Sequence, residues 1–342
     1  MNDLQRSRYL RQMIFPPLGP AGQEKLLAAH VLVAGCGATG SVIANTLARA
    51  GVGHLTVADR DFIELNNLQR QILYDEEDIA RDLPKAVAAT EKLRKINSSI
   101  TISPVVADIN AENIEDLVQG VDLVMDGTDN FETRYLVNDA CVKHNKPWIY
   151  SGAVGSYGAS MTIIPRETAC FRCVFSNAPA PGTLPTCDTA GVIAPIVSVI
   201  GSFACAEAIK LLSGAGTRNE GMLHVDLWEN SFEQFQVHRE PDCPTCGEGN
   251  YEFLEGEVTG VMTAHLCGRN AVQVRAGRGH KLDLPALTER LGEVGTATLN
   301  EYLVQFAIDK YQMTIFGDGR AIVKGTEDET VAKNLYAKYV GM

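Results

Sequence analysis

The chain has 342 residues, 45% of them hydrophobic, and a formal net charge of −12. This is the composition of a folded globular chain with room for a second small domain. The acidic balance argues against general affinity for nucleic acid or an anionic membrane surface.

The opening residues, Met1–Gln12, are polar and have no apolar signal core, which reads as a cytoplasmic protein. Residues 4–30 read as helical. Val31–Ala34 is a short β-branched run and predicts a buried strand. Gly35-Cys36-Gly37-Ala38-Thr39-Gly40 follows with GxGxxG spacing, then a helical stretch Ser41–Arg49, then an apolar run His54–Ala58 ending at Asp59. Strand, glycine turn, helix, strand and acid form a nucleotide-binding half-fold. The glycines let backbone approach phosphates, the helix N-terminus favours their charge, and the acid accepts ribose hydroxyls.

A polar loop, Asn66–Gln71, comes next, placed just past a strand end where ligands bind in doubly wound sheets. A plain solvated loop is the alternative. Pro84 and Lys85 open a helix through Ile96. Ile100–Val106 reads as a strand, Asn110–Val118 as a helix, Val121–Met125 as a strand, Thr133–His144 as a helix and Trp148–Tyr150 as the start of a strand. This alternation predicts a mostly parallel sheet with helices on both faces. Asp126 and Asp129 fall at a strand end. Asp129 suits a magnesium ion held against phosphates, although either acid could instead cap the following helix.

Beyond residue 150 the pattern loosens. Gly158–Ile164 alternates as an antiparallel strand, and Met222–Leu227 and Phe232–Val237 read as two closing strands. Ala190–Ala206 is uncharged, and its small residues favour a buried helix over a membrane span. Asn177–Thr186 is Pro-rich and reads as an exposed loop. Asp188 or Thr189 is expected to cap the buried helix, which sets Cys187 near its positive end, where a thiol becomes reactive. An incidental loop cysteine is the alternative.

Nine cysteines in such a chain point to metal or catalysis before disulfides. Cys170-Phe171-Arg172-Cys173 and Cys243-Pro244-Thr245-Cys246 are two CxxC turns separated by residues 174–242. Four thiolates close a tetrahedral zinc shell with no open position, so a structural zinc clip between distant segments is expected. Cys36, Cys141, Cys205 and Cys267 read as packing groups. Glu248–Glu257 reads as an acidic linker. Short apolar runs Ala271–Val274 and Ala321–Val323, with helical stretches Ala286–Leu291 and Thr330–Tyr339, predict a small α+β domain without recognisable chemistry. The expected organisation is thus residues 1–248 and 249–342.

Taken together, several motifs resemble the ThiF/MoeB/HesA family, prokaryotic relatives of ubiquitin-activating enzymes. They are RYLRQ at 8–12, GCGATG at 35–40, Asp59, NNLQRQ at 66–71, PKA at 84–86, DGTDN at 126–130, both CxxC pairs and TCDTAG at 186–191. The C-terminal extension, with Leu266–Asn270 and the closing DGRAIVKGTEDE, is most similar to the longer ThiF-type thiamine-biosynthesis adenylyltransferases. The resemblance implies a Rossmann-like α/β fold and ATP-dependent adenylation of the C-terminal glycine of a small ubiquitin-like sulfur carrier. It implies a nucleotide site of Gly35, Gly37, Ala38, Gly40, Asp59, Asp61 and Asn130, with Asn67, Arg70 and Lys85 on phosphates and Asp129 holding Mg2+. It also implies zinc on Cys170, Cys173, Cys243 and Cys246, sulfur-transfer or adduct chemistry at Cys187, and a homodimer in which Arg11 reaches the neighbouring site. Ala38 stands where many relatives carry a further glycine, and its small side chain leaves the phosphate approach open.

A carboxylate nucleophile is already ionised at neutral pH, so fixed cations are required and a general base is not. Arg70→Ala or Lys85→Ala is expected to abolish pyrophosphate exchange with the fold intact. No rhodanese-like cysteine loop is appended, so the sulfur donor is expected to be a separate protein. A nicotinamide-dependent oxidoreductase shares the glycine turn and Asp59 but needs neither the cationic set nor four paired cysteines. A peptide- or small-molecule-adenylating relative is a further alternative.

Overall fold

In a computed structural model, residues 1–178, 187–255, 262–266, 270–275 and 282–341 are described. The chain divides into two compact units, Met1–Gly256 and Glu257–Met342.

The first unit is built on an eight-stranded sheet of order β3-β2-β1-β4-β5-β6-β7-β8. Its strands are β1 (His30–Ala34), β2 (His54–Ala58), β3 (Thr101–Val105), β4 (Leu123–Asp126), β5 (Trp148–Val154), β6 (Tyr157–Ile163), β7 (Met222–Asp226) and β8 (Ser231–Phe235). Strands β1 to β5 pair in parallel, and β6, β7 and β8 extend the sheet antiparallel from β5. The strand order reverses between β1 and β4, and an open α/β sheet collects ligands at such a switch point.

Alternate side chains of β1 serve opposite cores. Val31 and Val33 pack with residues of the helices Ala38–Ala50, Lys85–Ile96 and Ala194–Ser213. Leu32 and Ala34 pack with residues of Ile114–Gln119 and Phe131–Lys143 on the other face. Leu32 and Val33 are fully buried, worth about 1.5–3 kcal/mol each. The helix Ala194–Ser213 is long and apolar enough to span a membrane, yet half of its apolar window is buried inside this unit. It is the small-residue core helix that the sequence suggests.

Local differences from the sequence reading have physical causes. The N-terminal stretch is three helices, Asp3–Arg8, Leu10–Met13 and Gly19–Ala28, broken at Tyr9 and again before Gly19, which has φ +59°. The stretch starting at Asn110 turns helical only from Ile114, because Asn113 Oδ1 accepts from Asn110 N–H, Asn110 Oδ1 accepts from Glu112 N–H, and both side-chain amides donate to Asp108 O. Within 248–257, read as a linker, Glu252–Glu255 is a helical turn. Tyr251, Phe253 and buried Leu254 pack against the first unit's core, so their apolar faces outweigh the surrounding glutamates.

The second unit is a six-stranded antiparallel sheet of order β11-β12-β13-β14-β10-β9. The strands are β9 (Met262–Leu266), β10 (Ala271–Arg275), β11 (Thr296–Leu299), β12 (Leu303–Ile308), β13 (Tyr311–Phe316) and β14 (Arg320–Lys324). Helices Leu284–Gly292 and Glu329–Tyr339 bury Leu287, Leu291, Ala332 and Tyr336 with Phe306, Met313 and Ile315 of the sheet. The unit is α+β, as the sequence suggests, with more strands than its two clearest apolar runs. Cys267 and most of the Asn177–Thr186 segment lie outside the described residues.

At the sheet end opposite the glycine turn, His30 and His54 pair in register and their rings stack at 3.7 Å. His30 bonds Gly120 O and Thr56 Oγ1, His54 bonds Ser103 Oγ, and Asp122 accepts from the His30 backbone N–H. Burial and the adjacent His30 push the His54 imidazole below 6.5. Below pH 6.5 the unfolded chain therefore binds this proton before the folded one does, and stability falls as pH drops through that window. Denaturation midpoints against pH are expected to show a shallower acid decline in His54→Gln than in the wild type.

Candidate active site

The glycine turn is fixed by backbone packing between the ends of β1 and β4. Gly35 has φ +85°, and a Cβ there would meet Gly127 O at 2.7 Å. A Cβ on Gly40 would lie 2.0 Å from Gly35 O, and one on Gly127 2.7 Å from Gly40 Cα. These three glycines are therefore packing positions where any side chain clashes. Gly37 is different: its Cβ position meets only Gln71 Nε2, at 3.9 Å. It is also the N-cap of Ala38–Ala50 and supplies no side-chain cap. The bend thus offers open space beside uncapped first-turn amides, which is what an anion requires.

Asp59 closes the turn from β2. It is buried, accepting from Cys36 N–H at 2.6 Å and Asp61 N–H at 2.7 Å. Burial raises its carboxyl above the ordinary range, opposed by the Lys85 charge. Tyr74 Oη donates to Cys36 O at 2.7 Å, pinning the same bend from the loop after β2. Burial pushes the Cys36 thiol up to about 12, so it packs rather than reacts.

The cations arrive from the next segment. Lys85 opens its helix behind Pro84, and its Nζ lies 3.2 Å from Asp61 Oδ2 with the side chain buried. Its N–H donates to Asp61 O at 2.8 Å, which ties the helix start to the end of β2. Asn67 sits in a short 3₁₀ turn, Leu65–Asn67, and its Oδ1 accepts from Glu64 N–H at 3.1 Å. Arg70 is half-buried and donates to Asn66 O at 2.9 Å. Gln71 is buried, and among the described residues its Oε1 has no hydrogen-bond partner. Arg60 pairs with Asp108 at 2.8 Å. Burial opposes its charge, but Asp108, Asp61 and Asp129 more than offset that and raise the guanidinium.

At the end of β4 the two acids separate in role. Asp126 accepts from Thr128 N–H and Oγ1–H at 2.8 and 2.7 Å and pairs with Arg134 at 3.0 Å. It is a structural acid. Asn130 caps the following helix, accepting from Thr133 N–H at 2.8 Å. Asp129 is left exposed, free of capping duty, with a 3.3 Å contact from Asn130 Nδ2. Arg134→Met is expected to strand Asp126, 1% exposed, without its cation, at a cost of about 3–5 kcal/mol in chemical denaturation. A loss under about 1 kcal/mol would show that the pair is dispensable.

Gly127, Arg134, Tyr74, Gln71 and Arg60 are the site residues that sequence reasoning did not single out. Gly127 and Gln71 stand inside quoted motifs and were the most accessible of them. Arg11 is exposed on Leu10–Met13, and among the described contacts none joins it to Arg70, Lys85 or Asp129. Cys187 begins a separate one-turn helix, Cys187–Ala190. The long helix starts at Ala194 behind Ile193, without a side-chain cap. Asp188 and Thr189 therefore do not cap it: Gly191, at φ +74°, follows the end of the short helix, and Pro195 sits in the first turn of the long one.

The four CxxC cysteines converge. Their sulfurs lie 3.7 Å (Cys170–Cys173), 3.6 Å (Cys170–Cys243) and 3.4 Å (Cys173–Cys246) apart, and all fall within 4.8 Å of one another. A tetrahedral zinc with bonds of about 2.3 Å separates its sulfurs by about 3.8 Å, so the cluster fits such an ion. Glu240 N–H donates to Cys173 Sγ, as expected of a thiolate ligand.

Comparison with known proteins agrees with this geometry. The model described as ThiF family matches residues 9–245. The sulfur carrier protein ThiS adenylyltransferase of Bacillus subtilis is 42% identical, over 98% of this chain and 99% of its own. The SAMP-activating enzyme E1 of Haloferax volcanii is 38% identical over 73% of this chain and 92% of its own. The crystal structure of Escherichia coli MccB with AMPCPP and MccA superposes with a TM-score of 0.63 at 25% identity, covering 72% of this chain and 75% of that one. A match across most of the chain, joined to a relative alike from end to end, establishes that this protein belongs to the ThiF family.

Proposed function

We propose that this chain uses ATP to adenylate the C-terminal glycine of a small ubiquitin-like sulfur carrier ending in Gly-Gly, a step toward its thiocarboxylate. The end-to-end likeness to a ThiS adenylyltransferase carries the reading, and thiamine biosynthesis is the pathway it favours over molybdopterin. The site is consistent with it: the open bend at Gly37 lies beside Gln71 of the loop that carries Arg70, and the Lys85 charge acts on Cys36 and Asp59 at the same bend.

In this reading the triphosphate lies over Gly35–Gly40, with Gly37 and Ala38 approaching it through backbone. Asp59 and Asp61 take the ribose side, and Asn67, Arg70 and Lys85 contact phosphates. Asp129, with Asn130 beside it, holds Mg2+, which when bound neutralises phosphate charge. The carrier carboxylate oxygen attacks the α-phosphorus, the α–β P–O bond breaks, and pyrophosphate leaves. The reaction gains from fixed cations because nucleophile and electrophile both carry negative charge. Zinc on Cys170, Cys173, Cys243 and Cys246 is structural. Arg11 acts across a homodimer, a role favoured by exposed Leu10, Ile14 and Phe15 around it. Cys187 takes part in later sulfur transfer from a separate donor protein.

Pyrophosphate exchange tests the reading. With Mg-ATP and a carrier ending in Gly-Gly, labelled pyrophosphate should enter ATP, and NAD should show no absorbance change with candidate substrates. Absence of carrier-dependent exchange would contradict it.

A further inference from the structure

Two consecutive side chains of the helix Phe131–Lys143 each grip one half of the cysteine cluster. Asn138 Oδ1 accepts from the N–H of Phe171, inside the first CxxC, at 2.9 Å. Asp139 Oδ1 accepts from Thr245 Oγ1–H, inside the second CxxC, at 2.9 Å. Asp139 Oδ2 accepts from Phe253 N–H at 2.9 Å, which holds the closing helical turn against the same helix. Asn138, Asp139, Phe171 and Thr245 are all essentially buried.

Asn and Asp are poor helix formers and expensive to bury, so an adjacent buried pair requires a reason. Adjacent helical residues point about 100° apart, which lets one helix reach two turns that arrive from different directions. The second turn is closed by its own backbone hydrogen bonds and by Arg239, which donates to Cys246 O at 2.6 Å, but residues 236–250 contain no helix or strand to tie it to the rest of the unit. We infer that Asn138 and Asp139 are positioning residues that align the two CxxC turns, so that a single helix pre-assembles the metal clip. The inference rests on the metal reading above. Partners of this kind behind metal ligands typically change metal affinity 10–100-fold.

The test is zinc release from the full-length, zinc-loaded chain to a competing chelator. Thr245→Val removes one hydroxyl with little change of shape, and Asp139→Ala removes both acceptors. Each should speed release by about 10–100-fold. Thr245→Ser restores the hydroxyl. Asp139→Asn can accept from Phe253 N–H and donate to Thr245 Oγ1. Both should release zinc within a few-fold of wild type. Ser213→Ala removes a buried hydroxyl bonded to Ile209 O, away from the clip, and serves as the stability control. It should leave zinc release unchanged. If Asp139→Ala fails to fold, Thr245→Val carries the test. Wild-type release rates in Thr245→Val, or equally fast release in Ser213→Ala, would overturn the inference while leaving the metal reading in place. A wild-type chain that takes up no zinc would overturn both.

Discussion

Arg70→Ala is expected to lower carrier-dependent pyrophosphate exchange by about 10²–10⁵-fold, the range found when a fixed cation or donor is removed from a phosphoryl or oxyanion site. Its thermal midpoint should barely move. Arg70 is half-buried on the loop after β2, and its described hydrogen bond is a local one to Asn66 O. Surface-type losses of this kind usually stay within about 0.5 kcal/mol. Lys85→Ala should be equally inactive but also less stable, which differs from the expectation that its fold survives unchanged. Lys85 is 3% exposed, pairs with Asp61 and opposes the burial of Asp59. Asp61 keeps Arg60 at 3.7 Å, but removal of Lys85 leaves the buried Asp59 carboxyl without the charge that offsets its burial. Arg70 is therefore the cleaner probe. Normal exchange in Arg70→Ala would remove it from the proposed chemistry.

Loss of the zinc proposed for the clip is expected to have the second large effect. Cys243→Ser, or prolonged chelation of the wild type, should abolish zinc content and destabilise the first unit by at least about 3 kcal/mol. Structural zinc in small domains supplies several times that. The reason lies in the path of the chain. After β8 ends at Phe235, the segment returns to the core through Cys243, Cys246, Thr245 and the turn Glu252–Glu255, without strand or long helix. Without the clip, Phe253 and Leu254 lose their anchor beside Tyr135, whose ring stacks on Phe253 at 4.6 Å. Metal content by mass spectrometry and calorimetric midpoints check this together. A zinc-free chain with an unchanged midpoint would contradict it.

Much of the fold was legible because its signals are local. β1, the glycine turn, the helix and β2 follow one another within 30 residues of sequence, and both CxxC turns declare their ligands by spacing. The rest depended on which strands become neighbours. Gly127 reads as an ordinary turn glycine until β4 lies beside β1, which brings it against Gly35 and Gly40. Arg134 reads as one more helical arginine until the turn after β4 folds Asp126 onto it. Asn138 and Asp139 look like surface polar residues of a helix, and only the return of the chain buries them. In the second unit the alternation of β12 and β13, as in Val304-Gln305-Phe306 and Met313-Thr314-Ile315, was present and unexploited. Tyr251–Leu254 was hidden by its glutamates, since composition averages over faces that the fold separates.

The most direct measurement is the intact mass of a candidate carrier ending in Gly-Gly after incubation with this protein and Mg-ATP. The account predicts that the carrier gains one AMP at its C-terminus, that the gain disappears with Arg70→Ala, and that hydroxylamine removes it as expected of an acyl phosphate. Candidate carriers that keep their starting mass, with wild-type protein binding ATP normally, would contradict it.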